Sequence, residues 1–309
     1  MNYGEILSRG FQITWRYKVL WLFGFLAGLY TQFPNVNIEF LPPEARRELE
    51  KFVFNPIFLP TLLGVLSLFV LLSVVVAILK ALGRSALVDQ VNQIEEGVPP
   101  SARDGWGASK RFGGRVFWIA FLLGLPGVGL FLVGLVPLLF ILATVLLRLT
   151  SVGSVNVGGP LILVWLSAWF IPYCCIAILI GIFFGLIRNL SERVCVLENH
   201  SAWDSICGGW KLLRKQSGSV LVMWFILAMI NMGLIVFFLI PMFVLLLMLI
   251  VPFVAMVQII QTSLPLVVII GYIVIVVIIW GYWSAINSVT EPFFSGCWTL
   301  AYRQWTGGV

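Results

Sequence analysis

Five long stretches of this chain carry no charged residue: 19–38, 57–79, 116–147, 149–187 and 216–290. A helix needs about 20 apolar residues to cross a bilayer, so each stretch is long enough for one span and the last must hold two. The pattern predicts six transmembrane helices, near 19–38, 57–80, 116–147, 161–187, 219–250 and 264–286. Gly- or Pro-bearing connections such as Ser151–Pro160 and Gln258–Pro265 separate them. As one straight helix, 116–147 would run about 48 Å against a hydrocarbon core of about 30 Å. It is expected to tilt, bend or break, at Leu125-Pro126-Gly127 or at Pro137.

Between the spans the period changes. Over Ser201–Lys215, Trp203, Ile206, Cys207, Trp210 and Leu213 fall at helical spacing, with Asp204, Lys211, Arg214 and Lys215 away from them. That predicts an amphipathic helix lying in the headgroup layer, with its cations near anionic phosphates. It serves either to orient the next span or to bind lipid headgroups or a partner. The external segment Glu39–Lys51 reads as a short charged surface helix.

The pattern repeats. An offset of 104 aligns Arg84 with Arg188, Gly105-Trp106 with Gly209-Trp210, Lys110-Arg111 with Arg214-Lys215, and Pro137 with Pro241. At an offset of 100, Ser101-Ala102-Arg103-Asp104 resembles Ser201-Ala202-Trp203-Asp204. The unit is an interfacial amphipathic helix, a basic cluster and a transmembrane hairpin. Three copies cover about 1–83, 84–187 and 188–287, and an interfacial segment, 288–309, closes a single membrane domain. All three hairpins start on the same side, so the repeats are parallel, unlike the inverted repeats of many carriers.

Orientation follows from the cations. Arg46, Arg47, Lys51 and Arg148 lie on one side of the predicted spans, and the other 15 of the 19 Lys and Arg lie on the opposite side. The positive-inside rule then places both termini in the cytoplasm. Composition agrees: 61% hydrophobic and 10% charged residues, with a mean hydropathy of +1.05, exclude an ordinary soluble domain. The net charge of +6 suggests nucleic acid less than membrane orientation, because no basic tract is present. No cleavable signal peptide is expected.

Chemistry is sparse. His200 is the only histidine, and the five cysteines form neither a Cys-x-x-Cys pair nor a disulfide framework, so neither a metal nor a cofactor is expected. The central parts of the spans contain no Asp, Glu, Lys, Arg or His, which argues against an enzyme and against proton or sodium coupling. Asn231 is read as either an interhelical hydrogen-bonding residue or a substrate contact. Gly24-x-x-x-Gly28 and Gly181-x-x-x-Gly185 would let helices approach closely, within the chain or across an oligomer interface.

Arg193-Val194-Cys195-Val196-Leu197-Glu198, Ala202-Trp203-Asp204-Ser205 and Gly209-Trp210-Lys211-Leu212-Leu213-Arg214 resemble the signature of the membrane domain attached to some bacterial glycerophosphodiester phosphodiesterases. The opening Tyr3–Phe11 is similar to related six-helix bacterial and archaeal membrane proteins. The resemblance implies a membrane fold in a bacterial inner membrane, near lipid metabolism. It implies no hydrolase, since nothing in the chain could form the soluble catalytic barrel of those enzymes.

The expectation is an all-α polytopic protein that acts as a scaffold or accessory subunit for lipid, another membrane protein or a second copy. Its binding residues would be Trp106, Lys110, Arg111, Trp203, Trp210, Lys211, Arg214 and Lys215. The alternative is a transporter or channel for a lipophilic or weakly polar solute, lined by Ser67, Ser73, Thr144, Ser167 and Asn231.

Overall fold

A computed structural model describes residues 2–29, 57–150, 159–260 and 265–307; side chains in 138–150, 159–167, 250–260, 265–270 and 272–273 are excepted. Among these residues every regular element is a helix: α1 Tyr3–Arg16, α2 Val19–Ala27, α3 Phe58–Glu95, α4 Ala102–Thr150, α5 Gly159–Leu197, α6 Ala202–Lys215, α7 Ser217–Ile260 and α8 Pro265–Thr306. Five of them, α3, α4, α5, α7 and α8, are long and apolar enough to cross a membrane, which suggests a multi-pass membrane protein. Residues 30–38 of the predicted first span and the whole of Glu39–Lys51 lie outside the described residues.

The ends of the helices are set by local chemistry. Gly97, at φ +83°, closes α3: Val98 N donates to Gln93 O at 2.9 Å and Gly97 N to Ile94 O at 3.1 Å. That is the left-handed glycine cap that stops a helix, and Pro99-Pro100 follow it. Ser101 opens α4, its hydroxyl accepting from Arg103 N at 3.2 Å. Ser201 opens α6, accepting from Asp204 N at 3.3 Å and donating to Asp204 Oδ2 at 2.6 Å.

The expectation of separate interfacial segments needs correction. The interfacial segment of the second copy is no separate helix but the start of α4. Its buried residues Gly105, Ala108, Ser109 and Phe112 continue at helical spacing into Val116 and Ile119, so one stripe runs through and nothing breaks it. The closing segment is likewise the end of α8. Of the tilt, bend or break expected of 116–147, the break is absent: Pro126 and Pro137 both sit inside one helix. In hydrocarbon an interrupted helix would leave backbone groups unsatisfied, a larger cost than the bond each proline removes.

The chain divides into two compact units, one of residues 1–114 and 222–308, the other of 115–221. In the first, α2 packs between α3 and α8. Ala27 N lies 2.5 Å from where a Cβ on Gly83 would stand, so glycine permits the α2–α3 contact. In the second, α6 folds back on the end of α5. Burial concentrates at the polar ends of the helices: Ser85–Val88 of α3, Leu190–Val196 of α5 and Ser295–Tyr302 of α8 are buried at every position. The apolar windows are the reverse, since no more than 11% of any one window is buried.

Candidate functional site

The best-defined surface belongs to α6. Its inner edge, Ser205, Gly209 and Leu213, is buried against α5, and a Cβ on Gly209 would stand 2.5 Å from Ser191 Oγ. Its outer surface carries Trp203, 65% exposed, and Trp210, 42% exposed, with Cys207, Lys211, Arg214 and Lys215 also exposed. The apolar face expected from spacing is therefore split. Leu213 turns inward and the two tryptophans turn outward, because the small side chains at 205, 208 and 209 let α6 approach α5 most closely along that edge. At about 100° per residue, Arg214 shares the outer stripe with Trp203 and Trp210. Trp210 meets Phe183 of α5 edge to face, ring centroids 5.5 Å apart.

Trp106, Lys110 and Arg111 are likewise exposed, on the first turns of α4, and the Arg111 guanidinium lies 5.0 Å from the Phe112 ring centroid. Gly105 beside them is buried, where a Cβ would stand 2.5 Å from the Phe23 ring. In α1, a Cβ on Gly10 would stand 2.6 Å from Cys297 Sγ, and Phe11 and Trp15 stack outward with centroids 6.0 Å apart. Gly10, Gly105 and Gly209 thus share one situation. Each is a close contact followed at once by an exposed aromatic: Phe11, Trp106 or Trp210.

The two Gly-x-x-x-Gly pairs behave differently. Gly24 and Gly28 lie where α2 meets α8: a Cβ on Gly24 would stand 2.5 Å from the Pro292 ring, one on Gly28 2.6 Å from Asn287 Cβ. Asn287 Nδ2 donates to Gly28 O at 3.2 Å. Cβ atoms at Gly181 and Gly185 would meet no described atom within 4 Å. Asn231 is exposed on α7.

Three features were not anticipated from the sequence. A cleft of about 590 Å³ lies between the start of α1 and the ends of α3 and α8, lined by Glu5, Ile6, Arg9, Glu95, Leu300, Arg303, Gln304 and Gly307. Arg9 Nε donates to Glu95 Oε1 at 2.9 Å, and Arg303 Nη1 donates to Asn92 Oδ1, whose amide donates to Glu96 at 2.7 Å. Residues separated by 86 and 211 positions give no local signal of such pairing. Second, Glu192 and Arg193 of α5 are each 3% exposed; Glu192 pairs with Arg188 at 3.0 Å and with Arg193 at 3.7 Å. The Arg188–Glu192 spacing of four was a usable signal. Third, Tyr173 and Tyr282 each donate across a helix pair, to Leu130 O and Phe238 O.

Ten positions past the end of the apolar run of α3, burial pushes the Asp89 carboxyl above its ordinary value of 3.8, against the hydrogen bond it accepts from Gln93 at 2.7 Å. His200 is exposed, 3.2 Å from Glu198. Among the described residues no three His, Cys, Asp or Glu side chains gather as a metal site would require.

No family model matches the chain, and no curated protein or solved structure matches it either.

Proposed function

We propose that this chain is a non-enzymatic scaffold or accessory subunit of a bacterial cytoplasmic membrane, holding lipid or another membrane protein against its helices. In this reading six spans form three parallel hairpins, with both termini and the two long connecting segments in the cytoplasm. The observation that carries it is the inversion of burial. The helix ends pack into cores, while the apolar windows of α3, α4, α5, α7 and α8 stay almost wholly exposed. A chain that builds its core outside the hydrocarbon leaves its apolar faces for acyl chains or a partner's helices.

The threefold repeat gains support from paired geometry. Gly10, Gly105 and Gly209 are each in close contact with another helix, Gly10 with Cys297, Gly105 with Phe23 and Gly209 with Ser191. Tyr173 and Tyr282 make similar tethers, over 43 and 44 residues, at an offset of 108 to 109 rather than 104. The likeness to the membrane domain of glycerophosphodiester phosphodiesterases fits a membrane module that works without the barrel.

The transporter reading has less support. Of the residues that would line a passage, Ser67 donates its hydroxyl to Gly64 O of its own helix at 2.8 Å, and the side chains of Thr144 and Ser167 lie outside the described residues.

The test is extraction from the native membrane in mild detergent, followed by size analysis and identification of co-migrating components. The scaffold reading expects a stable assembly with lipid or protein. A lipid-free chain that always migrates alone sinks it, as does solute flux through liposomes holding the purified chain. Cysteine labelling at 106 and 210 is expected to report the cytoplasmic side, and at 46 the external side.

A further inference from the structure

We infer that the outer stripe of α6 binds the headgroup of an anionic glycerophospholipid, with an acyl chain lying along α5. This rests on the membrane reading above and names a ligand class that it leaves open.

Depth comes first. Phe183 belongs to the apolar run of α5, which ends at Ile187, and Trp210 of α6 touches it, centroids 5.5 Å apart. That contact holds α6 at the edge of the hydrocarbon rather than away in water. A tryptophan at that level is typical of a membrane interface, where its ring is half in the apolar layer and its N–H reaches the headgroups.

Charge comes second. Arg214 follows Trp210 by one turn on the same stripe, with Lys211 and Lys215 beside it. All three are exposed, and none pairs with a carboxylate among the described residues. The one acidic side chain of α6, Asp204, sits in the first turn and is held by Ser201. Three unpaired cations at headgroup depth complement a phosphodiester with net negative charge and give a zwitterionic headgroup little advantage.

The apolar surface comes third. Leu179, 67% exposed, and Phe183, 39% exposed, lie one turn apart on α5 below Trp210, a strip on which an acyl chain can lie.

The experiment uses the full chain, purified in mild detergent and mixed with equal amounts of phosphatidylglycerol and phosphatidylcholine of identical chains. Native mass spectrometry reads the lipid retained. In parallel, lipids brominated in the acyl chain quench fluorescence, and the difference between wild type and Trp210→Phe isolates the signal of Trp210.

Preferential retention of phosphatidylglycerol is expected. Lys211→Gln should reduce it about fivefold, and Lys211→Gln, Arg214→Gln and Lys215→Gln together on the order of a hundredfold, with phosphatidylcholine unchanged. Arg214→Lys keeps the charge and should keep the preference, which separates charge from folding. Equal retention of both lipids overturns the anionic site and leaves the scaffold reading standing. Trp210 quenched by neither lipid overturns the site by placing α6 outside the membrane.

Discussion

Tyr173 and Leu130 are joined across α4 and α5 by a 2.9 Å hydrogen bond, the phenol donating to the main-chain carbonyl. A Cβ on Gly134 would stand 2.5 Å from the same phenol oxygen, so the ring is seated against bare backbone. Tyr282 repeats the arrangement on Phe238 O, also at 2.9 Å. Each tether ties one long helix to the next, Tyr173 near the middle of the predicted span 161–187 and Tyr282 close to the end of 264–286. Tyr173→Phe and Tyr282→Phe keep the ring and remove the bond. Each is expected to lower unfolding stability in detergent by about 0.6 kcal/mol, the average for polar contacts between membrane helices. Thermal unfolding followed by circular dichroism checks this, and an unchanged midpoint in both variants would show the tethers to be incidental.

Two glycines within helices should respond in opposite ways. At Gly209 an added methyl group meets Ser191, including its backbone nitrogen at 2.9 Å, whereas at Gly181 it meets no described atom within 4 Å. Gly209→Ala is expected to cost about 1–3 kcal/mol through overpacking. Gly181→Ala should be neutral or stabilising by up to about 1 kcal/mol, as alanine favours helix over glycine. Chemical unfolding of the two variants side by side decides it; equal effects would mean the α5–α6 contact is looser than described.

Glu192 stands between two cations in a buried position, 3.0 Å from Arg188 and 3.7 Å from Arg193. Glu192→Ala removes that carboxylate while both guanidiniums remain, Arg193 at 3% exposure. The expected loss is about 3–5 kcal/mol, the cost of breaking a buried pair from one side. Glu192→Gln, which still accepts hydrogen bonds, should lose less. Yield and midpoint of the two variants in detergent test the order, and a reversed order would rule out the charge as the cause.

Asp89 carries a pH signature. Burial raises its pKa, so the protonated form is favoured on folding. That contribution is fully present below the ordinary value of 3.8 and is lost as pH rises through the raised folded value. Asp89→Asn keeps an acceptor for Gln93 without the charge. It should be more stable than wild type at neutral pH, with the advantage vanishing in acid. Unfolding midpoints taken across the pH range would contradict this if the gap between the two proteins stayed constant.

Much of the architecture was legible along the chain, and the reason is local. A run such as 219–250 partitions into lipid by the sum of its own side chains, whatever it later touches. The Ser201–Asp204 cap lies within four consecutive residues, and so does the Gly97 stop with its two prolines. The bounds of α6 and the apolar cores of five long helices follow from signals of this kind.

What needed the tertiary structure was every question of which side meets which neighbour. Gly24 and Gly28 are packed while Gly181 and Gly185 are open, although both pairs have one spacing. Trp203 and Leu213 share a periodicity and part company only because α5 claims the Ser205–Gly209 edge of α6. Arg9 finds Glu95 and Arg303 finds Asn92 because helices remote in sequence end side by side. Propensity and transfer to lipid add up over neighbouring residues, so one chain read alone reveals them; pairing is a property of surfaces brought together, and identical local patterns do not distinguish between their partners.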